Sequence, residues 1–258
     1  MYSRKIKTKL LGQVGLKLCC YDLVLYIDPY LSNYVETQEG SEFKRLVPVR
    51  ASPSSITDAD YVLLTHAHID HCDPETIIPL SVSSPRCQFV CSRLVGNLLI
   101  EWGIEENRLI INSDGVIDIS REIKLHTVPS AHPTIVPLPD GGWAAVGYVL
   151  EMANKYIIYH AGDTSVDKLL IKHMKAFNGI DVAFMPVNER NYYRDKEGII
   201  GNMTIREAFQ MAVDIGVKTF VPTHWDMFES NQVYKEEIEL LYKKIKPPFE
   251  LSFYPEYL

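Results

Sequence analysis

One short segment constrains the fold of this chain more than any other, because an apolar run ends directly in a cluster of polar side chains. The run Tyr61–Thr65 predicts a buried β-strand. It is followed by His-Ala-His-Ile-Asp-His, which begins at His66 and ends at His71. Alternate residues of an extended segment share a face, so His66 and His68 are expected to point to one side, and Asp70 follows where the chain turns. Imidazole and carboxylate groups suit Zn, Fe and Mn, so the segment predicts a metal site at the end of a strand.

Three later segments repeat this arrangement, in which a β-type run is followed by one potential ligand. The runs are Ile123–Val128, Tyr156–His160 and Thr219–Pro222, and the residues that follow them are His132, Asp163 and His224. Residues that leave strand ends along one edge of a layered fold can converge on one cleft, where rigid elements hold them. The sequence therefore predicts one site built from four separate parts of the chain.

The candidate ligands divide into two complementary sets. The first set is His66, His68 and His132, the second is Asp70, His71 and His224, and Asp163 is expected to bridge them. Seven ligands are too many for one tetrahedral ion, so two divalent ions, Zn or Mn, are the expected cofactors. Two such ions can share a water and lower its pKa to about 7, which gives a bridging hydroxide as the attacking group. Asp70 is the predicted catalytic residue, because it can orient that water and pass a proton to the leaving group.

β-type runs and helical segments alternate along the whole chain. One group lies before about Pro129 and the other after about Gly142, which predicts two αβ halves, roughly 1–130 and 142–258, with their sheets packed face to face. No low-complexity or linker-like stretch separates them, so a single domain over 1–258 is expected. Two helix starts are marked by their capping residues, Asp73 before a proline and Thr204 three residues before a glutamate.

The acidic balance of the chain narrows the choice of partners. The formal net charge is -7, which disfavours nucleic acid, because phosphate binding needs clustered Lys and Arg. No apolar run approaches the roughly 20 residues that span a bilayer, so no membrane partner is expected. The 5 cysteines form no Cys-x-x-Cys pair and favour reduced thiols in a cytoplasmic protein. A small molecule is the expected partner, and assembly into a homo-oligomer is left open.

The ordered ligand motifs resemble those of the metallo-β-lactamase superfamily. The resemblance covers essentially the whole chain and implies an α/β fold, the four-layer αββα sandwich. Asp28, in Tyr-Ile-Asp-Pro-Tyr, is similar to an early aspartate of that superfamily that supports the ligands without binding metal. Asp226 is expected to support His224 in the same way, since ligating histidines usually donate their other N–H to a carboxylate or a carbonyl.

A closer resemblance is to the L-ascorbate-6-phosphate lactonase branch. The similar segments are Trp102-Gly103-Ile104 with Arg108, Tyr159–Asp163, Asp181-Val182-Ala183, Met203-Thr204 and Pro222-x-His224-x-Asp226. This resemblance implies a hydrolase of a small polar substrate, a lactone. The lactonases carry Asp-Arg-Thr where this chain has His132-Pro133-Thr134, so one arginine that could hold a phosphate is missing.

Candidate substrate-binding residues lie in the polar and aromatic loop after Val182–Met185. Asn188 is one of them, and Arg190 or Arg194 could take an anion there. Trp225 is expected to form a wall of the cleft. A solvated surface loop explains the same residues equally well.

Three other functions use the same residues. A metal-dependent phosphodiesterase or RNase-type hydrolase is disfavoured by the acidic charge. A di-iron oxidoreductase is disfavoured because the first ligand motif of that group resembles His-x-Glu-x-Asp. In this chain His68 stands at the glutamate position. A non-catalytic metal-binding protein is disfavoured by the complete ligand set.

Overall fold

Two β-sheets pack against each other, and helices cover their outer faces. The computed structural model describes residues 6–139, 141–153 and 155–258. A central core lies between the sheets, where Leu16 and Leu63 of one sheet join Leu150 and Phe184 of the other. Separate apolar clusters lie between each sheet and its own helices. The architecture is the expected four-layer αββα sandwich.

The first sheet has six strands in the order β1-β2-β3-β4-β5-β6. Strands β1 to β3 form an antiparallel meander, and β3 to β6 are parallel. Their bounds are Lys7–Gly12, Gly15–Cys20, Leu23–Ile27, Tyr61–Leu64, Gln88–Cys91 and Leu109–Ile111.

The second sheet has seven strands in the order β13-β12-β11-β10-β9-β8-β7. Strands β7 to β10 are antiparallel neighbours, and β10 to β13 are parallel. Their bounds are Gly115–Asp118, Ile123–Pro129, Val146–Met152, Ile157–His160, Ile180–Pro186, Val217–Thr223 and Glu250–Leu251.

The division of the chain between the sheets differs from the predicted one. The sequence predicts Ile123–Val128 as part of the first half, but β8 belongs to the second sheet and pairs with β9 from Ile123↔Met152 to Pro129↔Val146. The loop near residues 130–145 therefore joins two neighbouring strands of one sheet, and the chain changes sheets between Ile111 and Gly115. Assigning β8 to the first half was wrong because strand pairing depends on a partner that comes later in the sequence.

Seven helices lie between the strands in the described part of the chain, and the predicted capping residues begin two of them. Asp73 accepts the N–H of Glu75 at 2.9 Å. Thr204 and Glu207 form a reciprocal capping box at 3.1 and 2.9 Å. The helices are α1 (Tyr34–Glu39), α2 (Pro74–Ser83), α3 (Arg93–Glu101), α4 (Lys168–Lys175), α5 (Tyr192–Lys196), α6 (Ile205–Asp214) and α7 (Lys235–Ile245). Among the described helices, none combines the length and apolar character needed to cross a membrane.

Strand direction explains why the predicted ligands meet. Strands β3 and β4 are parallel, so Asp28 and His66 leave the same edge of the first sheet. In the second sheet, β10 and β12 both run parallel to β11, and β8 has the same direction because β9 is antiparallel to both β8 and β10. The residues that follow these three strands therefore also leave one edge.

Candidate metal centre

Seven side chains from four strand ends meet in three overlapping groups. Within each group, the nitrogen or oxygen atoms that could bind a metal all lie within 4.8 Å of one another. The groups are His66, His68 and His132; His66, His71 and Asp163; and Asp70, His71 and His224. The seven side chains predicted as ligands are therefore all brought together.

The first predicted set is a cluster of three imidazoles. Nε2 of His132 lies 3.1 Å from Nδ1 of His68. The ring of His66 lies 4.6 Å from that of His68 and 5.0 Å from that of His132, centroid to centroid. His66 is buried, whereas His68 is exposed at the surface of the site. This set therefore has one side open to solvent.

The second predicted set converges on one carboxylate oxygen. Oδ2 of Asp70 lies 3.6 Å from Nε2 of His71 and 3.3 Å from Nε2 of His224. Both imidazoles are buried, and Asp70 is partly exposed. The three atoms face a common point, as ligands of one ion must.

Asp163 lies between the two sets and contacts both. Its Oδ1 lies 3.3 Å from Nε2 of His71, and its Oδ2 lies 3.3 Å from Nε2 of His224 and 3.6 Å from Nε2 of His132. Oδ2 of Asp163 therefore lies near a histidine of each predicted set, whereas Oδ1 lies near the second set.

Several of these atoms are buried without a hydrogen-bond partner, which tests whether the residues fit a metal. In the described part of the chain, these atoms include Nε2 of His66, Nε2 of His71 and Oδ1 of Asp163. Buried polar atoms are almost always paired, so three unpaired ones that face a common centre need an explanation. A divalent cation bound here would satisfy all three atoms, and the imidazole and carboxylate groups fit zinc or manganese.

Asp28 lies behind the candidate ligands and forms a hydrogen bond with one of them. Nδ1 of His71 donates to Oδ2 of Asp28 at 2.8 Å. The same oxygen accepts the hydroxyl of Thr65 at 2.6 Å, and that hydroxyl lies 3.0 Å from Nδ1 of His66. Hydrogen bonds at Nδ1 leave Nε2 of each ring free to bind a metal. Asp28 and Thr65 together therefore set the orientation of two candidate ligands.

Burial and neighbouring carboxylates act against each other on the histidine pKa values. Burial, with nearby histidines, lowers the pKa of His66 well below its ordinary value. Burial would also lower the pKa of His224, but Asp163 and Asp70 outweigh it and raise that pKa to about 9. Only a neutral imidazole can bind a metal. Binding of a cation at His224 would therefore release the proton that its raised pKa retains.

Backbone conformation at two of these residues is uncommon. Asp28 has φ 42° and His224 has φ 58°, which places two non-glycine residues in the left-handed region. Such conformations cost of order 1–3 kcal/mol and persist where the surroundings enforce them. Both residues have buried side chains that face the centre or its support.

Asp226 is placed differently from the expectation. Nδ1 of His224 is buried and has no hydrogen-bond partner among the described residues, so Asp226 does not accept its proton. Instead, Asp226 lines a small cavity with Arg50, Trp225 and Tyr254, and burial raises the pKa of Asp226 to about 6. Trp225 packs on Phe253 beside this cavity and is not among the described residues that line the cleft over the metal centre.

The two arginines expected to bind an anion already have protein partners. Arg194 donates to the carbonyl groups of Asn188 and Glu189 at 2.5 Å and of Gln232 at 2.8 Å. Arg190 forms an ion pair with Glu207 at 3.0 Å and also donates to the Ser165 hydroxyl. Both guanidinium groups hold the loop in place.

Asn188 is fully buried and is not among the cleft-lining residues described. Its Oδ1 accepts from Asn202 at 2.9 Å. The Asn188 side chain therefore does not reach the cleft, where the sequence predicts that it contacts the substrate.

Gln13 is a residue of the site that the sequence did not reveal. It lies in the tight turn between β1 and β2, and its Nε2 donates to Oδ2 of Asp70 at 2.6 Å. The same nitrogen lies 3.0 Å from Nε2 of His224, whose backbone N–H donates to the Gln13 carbonyl at 2.9 Å. Glutamine in a hairpin turn carries no metal-binding signal, and only the tertiary contact identifies it.

A cleft of about 560 Å³ opens over the centre. Four candidate ligands reach it, namely His68, Asp70, Asp163 and His224. Apolar side chains form part of its walls and come from α1, the following turn, the loop after β4, the segment after α5 and the segment after β12. The side chains concerned are Val35, Phe43, Ala67, Ile69, Ile199, Ile200 and Phe228.

The sequence matches a known family over most of its length. The family model described as "Beta-lactamase superfamily domain" matches residues 24–225. A relative from Salmonella heidelberg, "Probable L-ascorbate-6-phosphate lactonase UlaG", is 26% identical over 224 residues. The match covers 82% of this chain but 61% of the relative, so it spans about three fifths of that protein.

Solved structures share the fold at lower identity. A "possible metal-dependent hydrolase" from Veillonella parvula superimposes with a TM-score of 0.75 at 18% identity, and the match covers 98% of each chain. An isothiocyanate hydrolase from Delia radicum gut bacteria has a TM-score of 0.74 at 15% identity, covering 98% of this chain and 97% of that one. With the family match and the sandwich architecture, these likenesses lead to one conclusion: this chain belongs to the metallo-β-lactamase superfamily of metal-dependent hydrolases.

Proposed function

We propose that this protein hydrolyses a carboxylic ester bond in a small molecule, a lactone, at a centre of two metal ions. The observation that carries the proposal is the arrangement of Asp163, which contacts His71 and His224 of one predicted set and His132 of the other. A single ion would not use all seven converging side chains, because catalytic sites with three or four ligands are the rule. Similarity to the lactonase relatives supports a lactone as substrate.

Two divalent cations, zinc or manganese, would supply an activated water at neutral pH and polarise the carbonyl oxygen of the substrate. The chain itself holds the ligands in place. Asp28 and Thr65 keep Nε2 of His71 and His66 turned toward the centre. Asp70 lines the cleft, so its carboxylate can orient the water and pass a proton to the leaving alkoxide.

The composition of the cleft supports attack by water. Among the described residues that line it, none is Ser, Thr, Cys or Lys, the side chains that most often form a covalent intermediate. Cys72 follows His71 in the sequence, but it is buried, and burial raises its pKa well above the ordinary value. A cleft of about 560 Å³ has the size of a small-molecule site.

The test combines metal analysis with a substrate panel. We expect two ions per chain by elemental analysis after incubation with Mn or Zn, and turnover of γ- and δ-lactones above that of a phosphodiester or a β-lactam. His132→Ala should lose metal and activity, whereas His173→Ala, on helix α4, should retain both. Preferred cleavage of the phosphodiester would replace the lactonase proposal, and a stoichiometry that stays at one would contradict the two-ion centre.

A further inference from the structure

We propose that the substrate carries a positive charge attached to an apolar body, and that three glutamates at the mouth of the cleft select for that charge. The inference rests on the proposed function and adds a substrate class to it. It follows from the lining of the cleft over the metal centre.

The floor of the cleft is where the reacting bond must lie. Asp163 lines the cleft, is 3% exposed, and has an Oδ1 atom with no hydrogen-bond partner in the described part of the chain. His68 and His224 reach the same floor. A substrate must place its carbonyl group here.

The walls above the floor suit hydrocarbon. Phe43 and Phe228 make an edge-to-face contact at 5.9 Å and belong, with Val35 and Ile69, to one apolar cluster. Ile199 adds an apolar side chain from the segment after α5. Burial of apolar surface against such walls stabilises a bound hydrocarbon group. The body of the substrate is therefore expected to be apolar.

The remaining charged lining residues are all acidic. Glu39, Glu42 and Glu197 line the cleft and are exposed to solvent. The salt bridges of the described residues leave all three carboxylates without a cationic partner. Lys and Arg are absent from the described lining. Three unpaired negative charges around one opening attract a cation and repel an anion.

The anion-binding groups that the sequence predicted are not available in the structure. Arg194 is held by three carbonyl groups and Arg190 by Glu207 and Ser165. A phosphate-bearing substrate would therefore meet carboxylates at the mouth and no free guanidinium group. The charge preference is expected to be opposite to that of a phosphosugar lactonase.

The experiment uses γ-butyrolactones with side chains of equal shape and different charge. One side chain ends in trimethylammonium, one in tert-butyl and one in sulfonate. With the metal-loaded protein at low salt, we expect kcat/KM for the cationic lactone to exceed that of the tert-butyl lactone roughly tenfold. The sulfonate lactone should be the slowest. The cationic advantage should shrink at 0.5 M salt, because screening weakens interactions between exposed charges.

Two triple variants separate a local effect from the net charge. Glu39→Gln, Glu42→Gln and Glu197→Gln together should bring the ratio of cationic to tert-butyl turnover close to one. Glu101→Gln, Glu105→Gln and Glu106→Gln change the net charge equally but lie around the end of α3, outside the described lining, and should keep the ratio. A ratio near one in the wild type, or a ratio that survives the cleft variant, would overturn the inference while leaving the hydrolase intact.

A binding measurement keeps the inference separate from the proposed function. The matched cyclopentanones, which carry a ketone in place of the lactone, can be titrated by calorimetry without turnover. If none of the lactones is hydrolysed with both metals bound, the proposed function fails. The ratio of ketone affinities then decides the charge preference alone: tighter binding of the cationic ketone supports it, and equal binding overturns it.

Discussion

At the scale of single residues, Thr65 links Asp28 to the candidate ligand His66. Its hydroxyl donates to Asp28 and lies next to His66, while its backbone N–H donates to Oδ1 of Asp28 at 2.8 Å. Asp28 in turn holds His71. One hydroxyl and one carboxylate therefore orient a candidate ligand from each predicted set. Partners of this kind typically change metal affinity by ~10–100-fold when they are lost.

Gln13 is expected to tune the set that contains Asp70 and His224. Gln13→Ala removes the donor that lies 2.6 Å from Oδ2 of Asp70, so that carboxylate loses its fixed orientation. With two ions bound as proposed, we predict about 10-fold or greater weakening of one of them and retention of the other. Competition with a chromophoric chelator measures both affinities in one titration. Gln210→Ala is the control, because Gln210 is exposed on α6 and its side chain bonds only Asp214 among the described residues. Equal chelator curves for Gln13→Ala and the control would show that Gln13 does not act on the centre.

At the scale of elements, the turn after β10 packs tightly on the turn after β4. Gly162 has φ +59°, and a Cβ atom there would lie 2.8 Å from Cβ of Thr65. Gly162→Ala should therefore displace Thr65 and the groups it orients. Overpacking of this kind costs typically ~1–3 kcal/mol.

The matched control is Gly103→Ala, which also requires a left-handed backbone, at φ +85°, but whose Cβ atom would meet nothing within 4 Å. We expect Gly162→Ala to be less stable in urea than Gly103→Ala and to bind metal more weakly. If the two variants had the same unfolding midpoint and metal content, the contact between Gly162 and Thr65 would not matter to the site.

At the scale of the whole molecule, the packed layers bury four of the cysteines and shield them from thiol reagents. Burial raises the pKa of Cys20, Cys87 and Cys91 to about 12, and that of Cys72 well above its ordinary value. A raised pKa means less thiolate at pH 8, and the thiolate is the reactive form. Cys19 alone is half-buried rather than buried.

We therefore predict that a thiol reagent at pH 8 modifies at most one cysteine in the folded protein and all 5 in urea. The readout is the number of thiols that react with Ellman's reagent over time, with the mass of the product identifying the residue. Fast reaction of two or more cysteines without denaturant would contradict the buried positions of the other four.

The sequence alone determined the features that depend on neighbours along the chain. The apolar run before His66, the capping residues Asp73 and Thr204, and the ligand types after each β-type run are all local patterns. Strand periodicity predicts which side chains lie on the same face, and capping depends on residues three positions apart. Seven predicted side chains accordingly meet in the structure.

Only the tertiary structure decided the features that depend on partners far away in the sequence. Strand β8 joined the second sheet because it pairs with β9 across a long loop. Gln13 contacts Asp70 and His224, which follow it in the sequence by 57 and 211 residues. Arg190 forms an ion pair with Glu207, and Arg194 donates a hydrogen bond to the carbonyl group of Gln232. The physical reason is that a hydrogen bond or an ion pair forms between atoms that the fold brings together, and local sequence does not record that distance.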